Sequence, residues 1–243
     1  MRLPLVSTVN IDVKNQNLNG LRILHLSDLH IDKKVSSQSI TNLVNICNNT
    51  DVDFVVITGD IIDCKVKYIK HKLEILNKLK KIVYYISGNH DLFHGLNELN
   101  KVLTNLHFMD NRYLPFVFKD KIIHIVGYPD AMSKYFKIKR DKEKIVNFLK
   151  ENNDTIFISH QPKDYKIATN MNTPLFLCGH THGGQIFPFH YLVYLDQPYL
   201  AGIYHKNNTT IYVNKGLGTW GIPFRFKANA EITILKLTTN GVK

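Results

Sequence analysis

The sequence predicts a layered α/β sandwich in which two β-sheets pack on each other. Three observations carry that expectation. Strand-like apolar runs alternate with helix-like stretches through the first half of the chain. From about residue 114 the texture changes to short, closely spaced strand-like pieces. Several of these runs end in an aspartate, asparagine or histidine, as if aimed at one shared edge.

LRILHLS (21–27), DFVVITG (53–59) and KIVYYISG (81–88) are rich in branched and aromatic residues. They are apolar at successive positions, the pattern of strands buried on both faces. Between them, SSQSITNLVNICNN (36–49) and YIKHKLEILNKLKK (68–81) carry apolar residues at helical spacing. Such alternation with short connections argues for βαβ units and a parallel sheet. The later pieces are LPFVFK, KIIHIVG, TIFISH, PLFLCGH, GIYHK, TIYVNKG and EITILKL, interrupted by the helical DKEKIVNFLKENN (141–153). They are expected to form a second sheet packed on the first. No repeat, linker or low-complexity tract divides the chain, so residues 1–243 are expected to form a single domain.

At 243 residues, 44% hydrophobic and 21% charged, the composition is ordinary for a globular chain with a substantial core. No apolar run reaches the roughly 18 residues of a membrane span. MRLPLVSTVNID is too short in apolar residues for a secretory signal. Cys47, Cys64 and Cys178 lack metal-type spacing and read as reduced thiols. A cytoplasmic location follows as an expectation, with peripheral contact at an inner membrane. The formal net charge of +11 favours phosphorylated partners, anionic headgroups or polyanions. Its lysines are scattered, with concentrations only at KVKYIKHK (65–72) and KYFKIKRDKEK (134–144), which weakens any case for a nucleic-acid track.

The chemistry lies at the ends of the runs. Asp28 and His30 follow the first, Asp60 the second, and Asn89, His90 and Asp91 the third. His160 follows TIFIS, and His180 and His182 follow PLFLCG. Open α/β sheets place their sites at the carboxyl ends of strands, so five such runs imply one shared site. Carboxylate, amide and imidazole without thiolate suit a divalent ion such as Mn, Fe, Zn or Co. The candidates are too many for one ion and suit two, with one carboxylate shared. Two ions about 3.5–4 Å apart can bind a phosphoryl group, lower the pKa of a bridging water to near 7, and clamp the attacking and leaving oxygens.

The series DxH…GD…GNHD…H…GHTH resembles the calcineurin-like metallophosphoesterase superfamily, over about residues 21–237. Asp28, Asp60 and Asn89 are spaced by about 30 residues, one βα unit each. The resemblance implies a four-layer α/β/β/α sandwich of two mixed sheets flanked by helices. It implies two divalent metals, Mn foremost and Zn, Fe or Co as alternatives. One metal would take Asp28, His30 and His182, the other Asn89, His160 and His180, with Asp60 bridging. A hydroxide bridging the metals would attack phosphorus in line. His90 would assist the leaving group, and Asp91 would orient its ring. In CGHTHGG the glycines would let the backbone approach the site closely. CGHTHGGQ followed by VNKGLGTWGIPFRFKANAEITILKL is similar to the YkuE-type, YaeI-type and LpxG-type bacterial branch. That branch implies a phosphodiester or pyrophosphate substrate, lipid-linked or nucleotide-linked, such as UDP-diacylglucosamine. Cys64 stands where many superfamily members carry an arginine after GDxxD.

Other residues are weighed singly. Arg225 is expected to contact a substrate phosphate or to pair with Glu231, and Asn214 to approach the substrate. His25 and His124 are expected in the core, His94, His190 and His205 without a role, and Asp63 in the turn after Asp60. IFPFHYLVYLDQPYLAGIY (186–204) is expected to pack as a core hairpin; the alternative is a lip holding an acyl chain or dipping into a membrane interface. The leading function is a dinuclear metal-dependent phosphoesterase. A nuclease or phosphomonoesterase of the same superfamily is the runner-up, and a non-catalytic metal-binding scaffold comes last.

Overall fold

The apolar runs become strands where both of their faces find cover. The computed structural model describes residues 3–188 and 190–239. The first half comprises β1 (Val6–Asp12), β2 (Arg22–Leu26), α1 (Ser37–Asn49), β3 (Phe54–Ile57), α2 (Lys70–Leu76), β4 (Val83–Tyr85), α3 (Asn89–His94), α4 (Leu96–Val102) and β5 (His107–Phe108). The second comprises β6 (Arg112–Phe118), β7 (Lys121–Gly127), α5 (Lys142–Glu151), β8 (Thr155–Ile158), α6 (Tyr165–Asn170), β9 (Leu175–Cys178), α7 (His190–Val193), β10 (Gly202–Lys206), β11 (Thr209–Val213) and β12 (Ile232–Thr238).

Two six-stranded sheets result, in the orders β1-β12-β2-β3-β4-β5 and β10-β11-β9-β8-β7-β6. In the first, β2 to β5 are parallel, while β12 runs antiparallel to β2 and carries β1 beside it. In the second, β7, β8, β9 and β11 are parallel, with β6 and β10 antiparallel at the edges. Both sheets are therefore mixed.

Side chains alternate across each strand and so divide the core into three slabs. Phe54 and Val56 of β3 face the second sheet, where they meet Ile156 and Ile158 of β8 and Leu175 and Leu177 of β9. Val55 and Ile57 face outward onto Ile40, Leu43 and Val44 of α1 and Leu73 of α2. On the far side, Phe157 and Phe176 pack against Ile145 and Leu149 of α5 and Ala168 of α6. The layers are α/β/β/α, as the resemblance implies. Ser36 caps α1 by accepting from the Ser39 N–H at 3.1 Å.

The structure departs from the sequence reading in three places. EITILKL, expected in the second sheet, is β12 and lies inside the first, between β1 and β2. β1 itself was not foreseen, because VSTVNID is an edge strand with polar residues on its exposed positions. The second helix stops at Leu76 rather than near residue 81, where the Asn77 side chain donates to the Val102 carbonyl at 2.7 Å.

His25 lies fully buried on β2, with Nε2 3.0 Å from Thr58 Oγ1. His124 is only half-buried, at the edge of the Phe148 ring. Burial pushes the His25 pKa down from 6.5 to about 3. The unfolded chain thus takes up this proton near pH 6.5, the folded chain only near pH 3. Stability carried by neutral His25 is complete above pH 6.5 and is lost by about 1.4 kcal/mol per unit as pH falls toward 3. His25→Leu should therefore gain about 2 kcal/mol on the unmodified protein between pH 7.5 and 5.0 in urea unfolding. Equal pH slopes for the two proteins would contradict this.

Candidate metal centre

The parallel strands of both sheets end at one place, and the residues just past those ends turn inward. Asp28 and His30 follow β2, Asp60 and Asp63 follow β3, and Asn89 and His90 open α3 after β4. His160 follows β8, and His180 and His182 follow β9. The turns are unusual. Asp28, His30, Asp60, His180 and His182 all have φ between +45° and +72°. Non-glycine residues in this left-handed region cost on the order of 1 kcal/mol each and cluster at functional sites. The conformation is held by backbone bonds such as Asp28 N–H to Gly59 O and His30 N–H to Asp60 O, both 3.0 Å.

Two glycines permit the packing. A Cβ at Gly179 would run into Ser27 and the Asp28 carboxylate, and one at Gly88 would overlap Asp60. Here the side chain is excluded by volume rather than by φ.

The polar atoms converge in two linked groups. His182 Nε2 lies 3.1 Å from His30 Nε2 and 3.3 Å from Asp28 Oδ1. On the other side, His160 Nε2 lies 3.2 Å from Asn89 Oδ1 and 3.1 Å from His180 Nδ1. Asp60 Oδ2 joins the groups, 3.7 Å from His30 Nε2 and 3.3 Å from His160 Nε2.

This arrangement fits divalent cations. Asp28 Oδ1 is buried with no hydrogen-bond partner among the described residues, a costly state unless a cation faces it. The His160 Nδ1–H donates to the Thr58 carbonyl at 2.7 Å, which fixes the tautomer and turns the Nε2 lone pair into the site. Burial would raise the pKa of Asp28, but His182, His160 and His30 outweigh it and hold the carboxyl well below its usual range. Asp60 is held low in the same way, burial being outweighed by His160 and His30. Burial alone would depress His160, yet Asp60, Asp28 and Asp130 push it well up. The carboxylates favour a proton on His160, while burial pushes His180 and His182 down, and a cation among these donors would replace that proton. Asp28, His30 and His182 could hold one ion, Asn89, His160 and His180 a second, with Asp60 between them.

Four expectations need correction. Asp91 does not touch the His90 ring. Its oxygens accept from the N–H groups of Ile61, Ile62 and Gly88 at 2.8–3.0 Å, tying α3 to the turn after β3. The carboxylate on His90 is Asp63, whose Oδ1 accepts from Nδ1 at 2.6 Å and also lies 3.4 Å from His94 Nε2. Burial would lower the His90 pKa, but this bond raises it. Asp63 was legible only as the second carboxylate of GDIID, and its spacing did not show which ring it faces.

Arg225 does not line the cavity, and Glu231 is met by Lys215 rather than by Arg225. Its guanidinium donates to the carbonyls of Lys215, Gly216 and Gly218, and Nη2 lies 3.0 Å from His182 Nδ1. It braces the loop behind His182. Asn214 is fully buried, donating to the His25 carbonyl at 3.3 Å and accepting from the Gly216 N–H at 2.8 Å. Nor is segment 186–204 a core hairpin. Only 202–206 pairs with β11, while Tyr191 is 65% and Leu195 84% exposed.

His30, Asp60, Asn89, His90, His180 and His182 line the floor of a cavity of about 600 Å³. Ile186, Leu192, Val193, Trp220 and Ile222 form an apolar wall. Gln185 joins the two loops of that wall, donating to the carbonyls of Trp220 and Ile222 at 2.9 and 3.0 Å.

Gly179→Ala should push Asp28 from the cluster and weaken metal binding about tenfold or more, with the far-ultraviolet dichroism unchanged. Unaltered retention of Mn or Zn in equilibrium dialysis would show that this close approach does not matter.

Comparison with known proteins places these features. Residues 21–184 match the family model for calcineurin-like phosphoesterases. An uncharacterized metallophosphoesterase of Helicobacter pylori (strain ATCC 700392 / 26695) is 37% identical over 227 residues, covering 89% of this chain and 60% of that protein. The chain thus spans about 60% of the length of that relative. The uncharacterized metallophosphoesterase YkuE of Bacillus subtilis (strain 168) is 31% identical, over 95% of this chain and 83% of that protein. In fold, the chain is similar to a dimetal phosphatase from Danio rerio, with a TM-score of 0.51 and 11% identity over 82% of this chain and 88% of that one. The chain belongs to the calcineurin-like phosphoesterase family.

Proposed function

We propose that this protein is a metal-dependent phosphoesterase that cleaves a phosphodiester or pyrophosphate bond in a substrate with an apolar part. The carrying observation is the pair of ligand groups joined by Asp60 at the floor of a cavity whose wall is apolar. The family supports the reaction class. Lipid-linked and nucleotide-linked substrates, UDP-diacylglucosamine among them, are consistent with that wall. Ile186, Leu192 and Trp220 would pack on an acyl chain or a base, whereas a nuclease needs a basic track.

When bound, two divalent ions, Mn foremost and Zn, Fe or Co as alternatives, supply charge neutralisation of the phosphoryl oxygens and activation of a water. The chain does the rest. Asp28, His30 and His182 on one side and Asn89, His160 and His180 on the other fix where the phosphorus sits. Asp63 takes up His90 Nδ1 and so leaves Nε2 as the nitrogen able to hand a proton to the departing oxygen. Asp91 acts at one remove by holding the backbone of the turn after Asp60. Arg225 acts likewise by holding the loop behind His182.

Metal-stripped protein should regain hydrolysis of bis(p-nitrophenyl) phosphate, in preference to p-nitrophenyl phosphate, when one transition metal is restored. Asp60→Asn should lose on the order of 100-fold or more of that activity. Near-normal turnover by Asp60→Asn, or none by the unmodified protein with any metal, would contradict the assignment.

His90→Gln gives a second test. A nitrophenolate leaves without help, so the variant should lose little on the nitrophenyl diester. On a diester with an alkoxide leaving group it should lose about 100-fold. Equal losses on both would remove the proton-donor role.

A further inference from the structure

The cavity mouth carries an apolar surface that extends outward beyond the wall proposed to hold the substrate. Two segments meet there, 186–198 (with 189 outside the described residues) and 219–227, and hydrogen bonds join them. Phe187 N–H donates to the Phe226 carbonyl at 3.2 Å, Phe226 N–H donates to the Gln185 carbonyl at 2.9 Å, and Gln185 grips Trp220 and Ile222. Their outward side chains are large and apolar. Leu195 is 84%, Tyr191 65%, Ile222 59%, Phe224 56% and Trp220 55% exposed. Isolated exposed apolar residues are ordinary, but a contiguous rim of this kind marks an interaction surface.

Charge decides what covers it. The two loops contain a single acidic residue, Asp196, and Lys163 neutralises it at 3.0 Å. Lys227 sits within the rim, its Nζ 4.7 Å from the Phe187 ring centroid. The chain as a whole carries +11. Aromatic and aliphatic side chains beside lysine, on a cationic protein, complement an anionic bilayer. The rings lodge at the headgroup boundary while the cations meet phosphate.

We propose that this rim is a membrane-docking surface, which seats the protein on an anionic lipid bilayer with the mouth of the cavity toward the lipid. The inference goes beyond the hydrolytic reading, and its binding readouts, emission shift and co-sedimentation, do not depend on that reading. Because Leu192, Trp220 and Ile222 both line the cavity and stand at the rim, docking would open the apolar wall directly onto the bilayer.

Trp220 is the only tryptophan, so its fluorescence reports on the rim and the cavity mouth that it lines, and co-sedimentation reports attachment independently. The whole chain would be titrated with phosphatidylglycerol–phosphatidylcholine vesicles, with pure phosphatidylcholine as reference. The expected result is a saturable blue shift of Trp220 emission with co-sedimentation on the anionic vesicles. Leu195→Glu/Phe224→Glu, two positions outside the cavity lining, should reduce the bound fraction about tenfold or more while keeping hydrolysis of bis(p-nitrophenyl) phosphate. No shift and no co-sedimentation would overturn the proposal. So would undiminished binding by the double variant, which would assign attachment to scattered lysines. A dimer in light scattering that the double variant dissociates would also overturn it, since a second copy would then cover the rim.

Discussion

The structure depends on packing seven side chains able to ligate a metal around one largely buried space. Without a cation that space is electrostatically unsettled. Two imidazole nitrogens approach within 3.1 Å on each side, and one Asp28 oxygen has no hydrogen-bond partner among the described residues. Histidines pull the aspartates down and aspartates push His160 up, so the cluster favours bound positive charge. A folded chain keeps such a cluster only if the surroundings over-determine it. The left-handed turns at Asp28, His30, Asp60, His180 and His182 are part of that strain, and the two stacked sheets supply the rigidity that holds it.

The same frame explains the division of labour around the site. Strands buried on both faces bring their carboxyl ends to a common point, and a short turn after each delivers a ligand. Residues just behind these candidate ligands contact the backbone or a ring. Asp91 holds three N–H groups, Arg225 braces carbonyls behind His182, and Thr58 accepts from His160. Such partners set ligand orientation and tautomer, and metal sites depend on them as much as on the ligands themselves.

Much of this was legible in the sequence because burial and metal chemistry both leave strong residue patterns. FVVI and TIFI, rich in branched and aromatic residues and bounded by turns, read as strands covered on two sides, and each motif aspartate or histidine stood one or a few residues past such a run. What was not legible depends on direction rather than type. Asp91 adjoins His90 in sequence yet points at backbone, while Asp63, nearly thirty residues away, reaches the ring. Arg225 looked free to bind phosphate because no sequence pattern shows five carbonyl oxygens and an imidazole closing around it. EITILKL has the same apolar pattern as the strands before it, and only the tertiary fold inserts it between β1 and β2. The aromatic stretch after GHTHGG reads like core by composition, although its Tyr191 and Leu195 face solvent.

The central claim is that the ligand cluster is a two-ion site divided by Asp60. The most direct measurement is metal stoichiometry by elemental analysis after equilibrium dialysis against Mn or Zn, for the unmodified chain and for His180→Ala and His30→Ala. Two ions per chain, falling toward one in each variant, is the predicted result, since each variant removes a ligand of a different ion. One ion or none in the unmodified chain, or two ions in both variants, would contradict it.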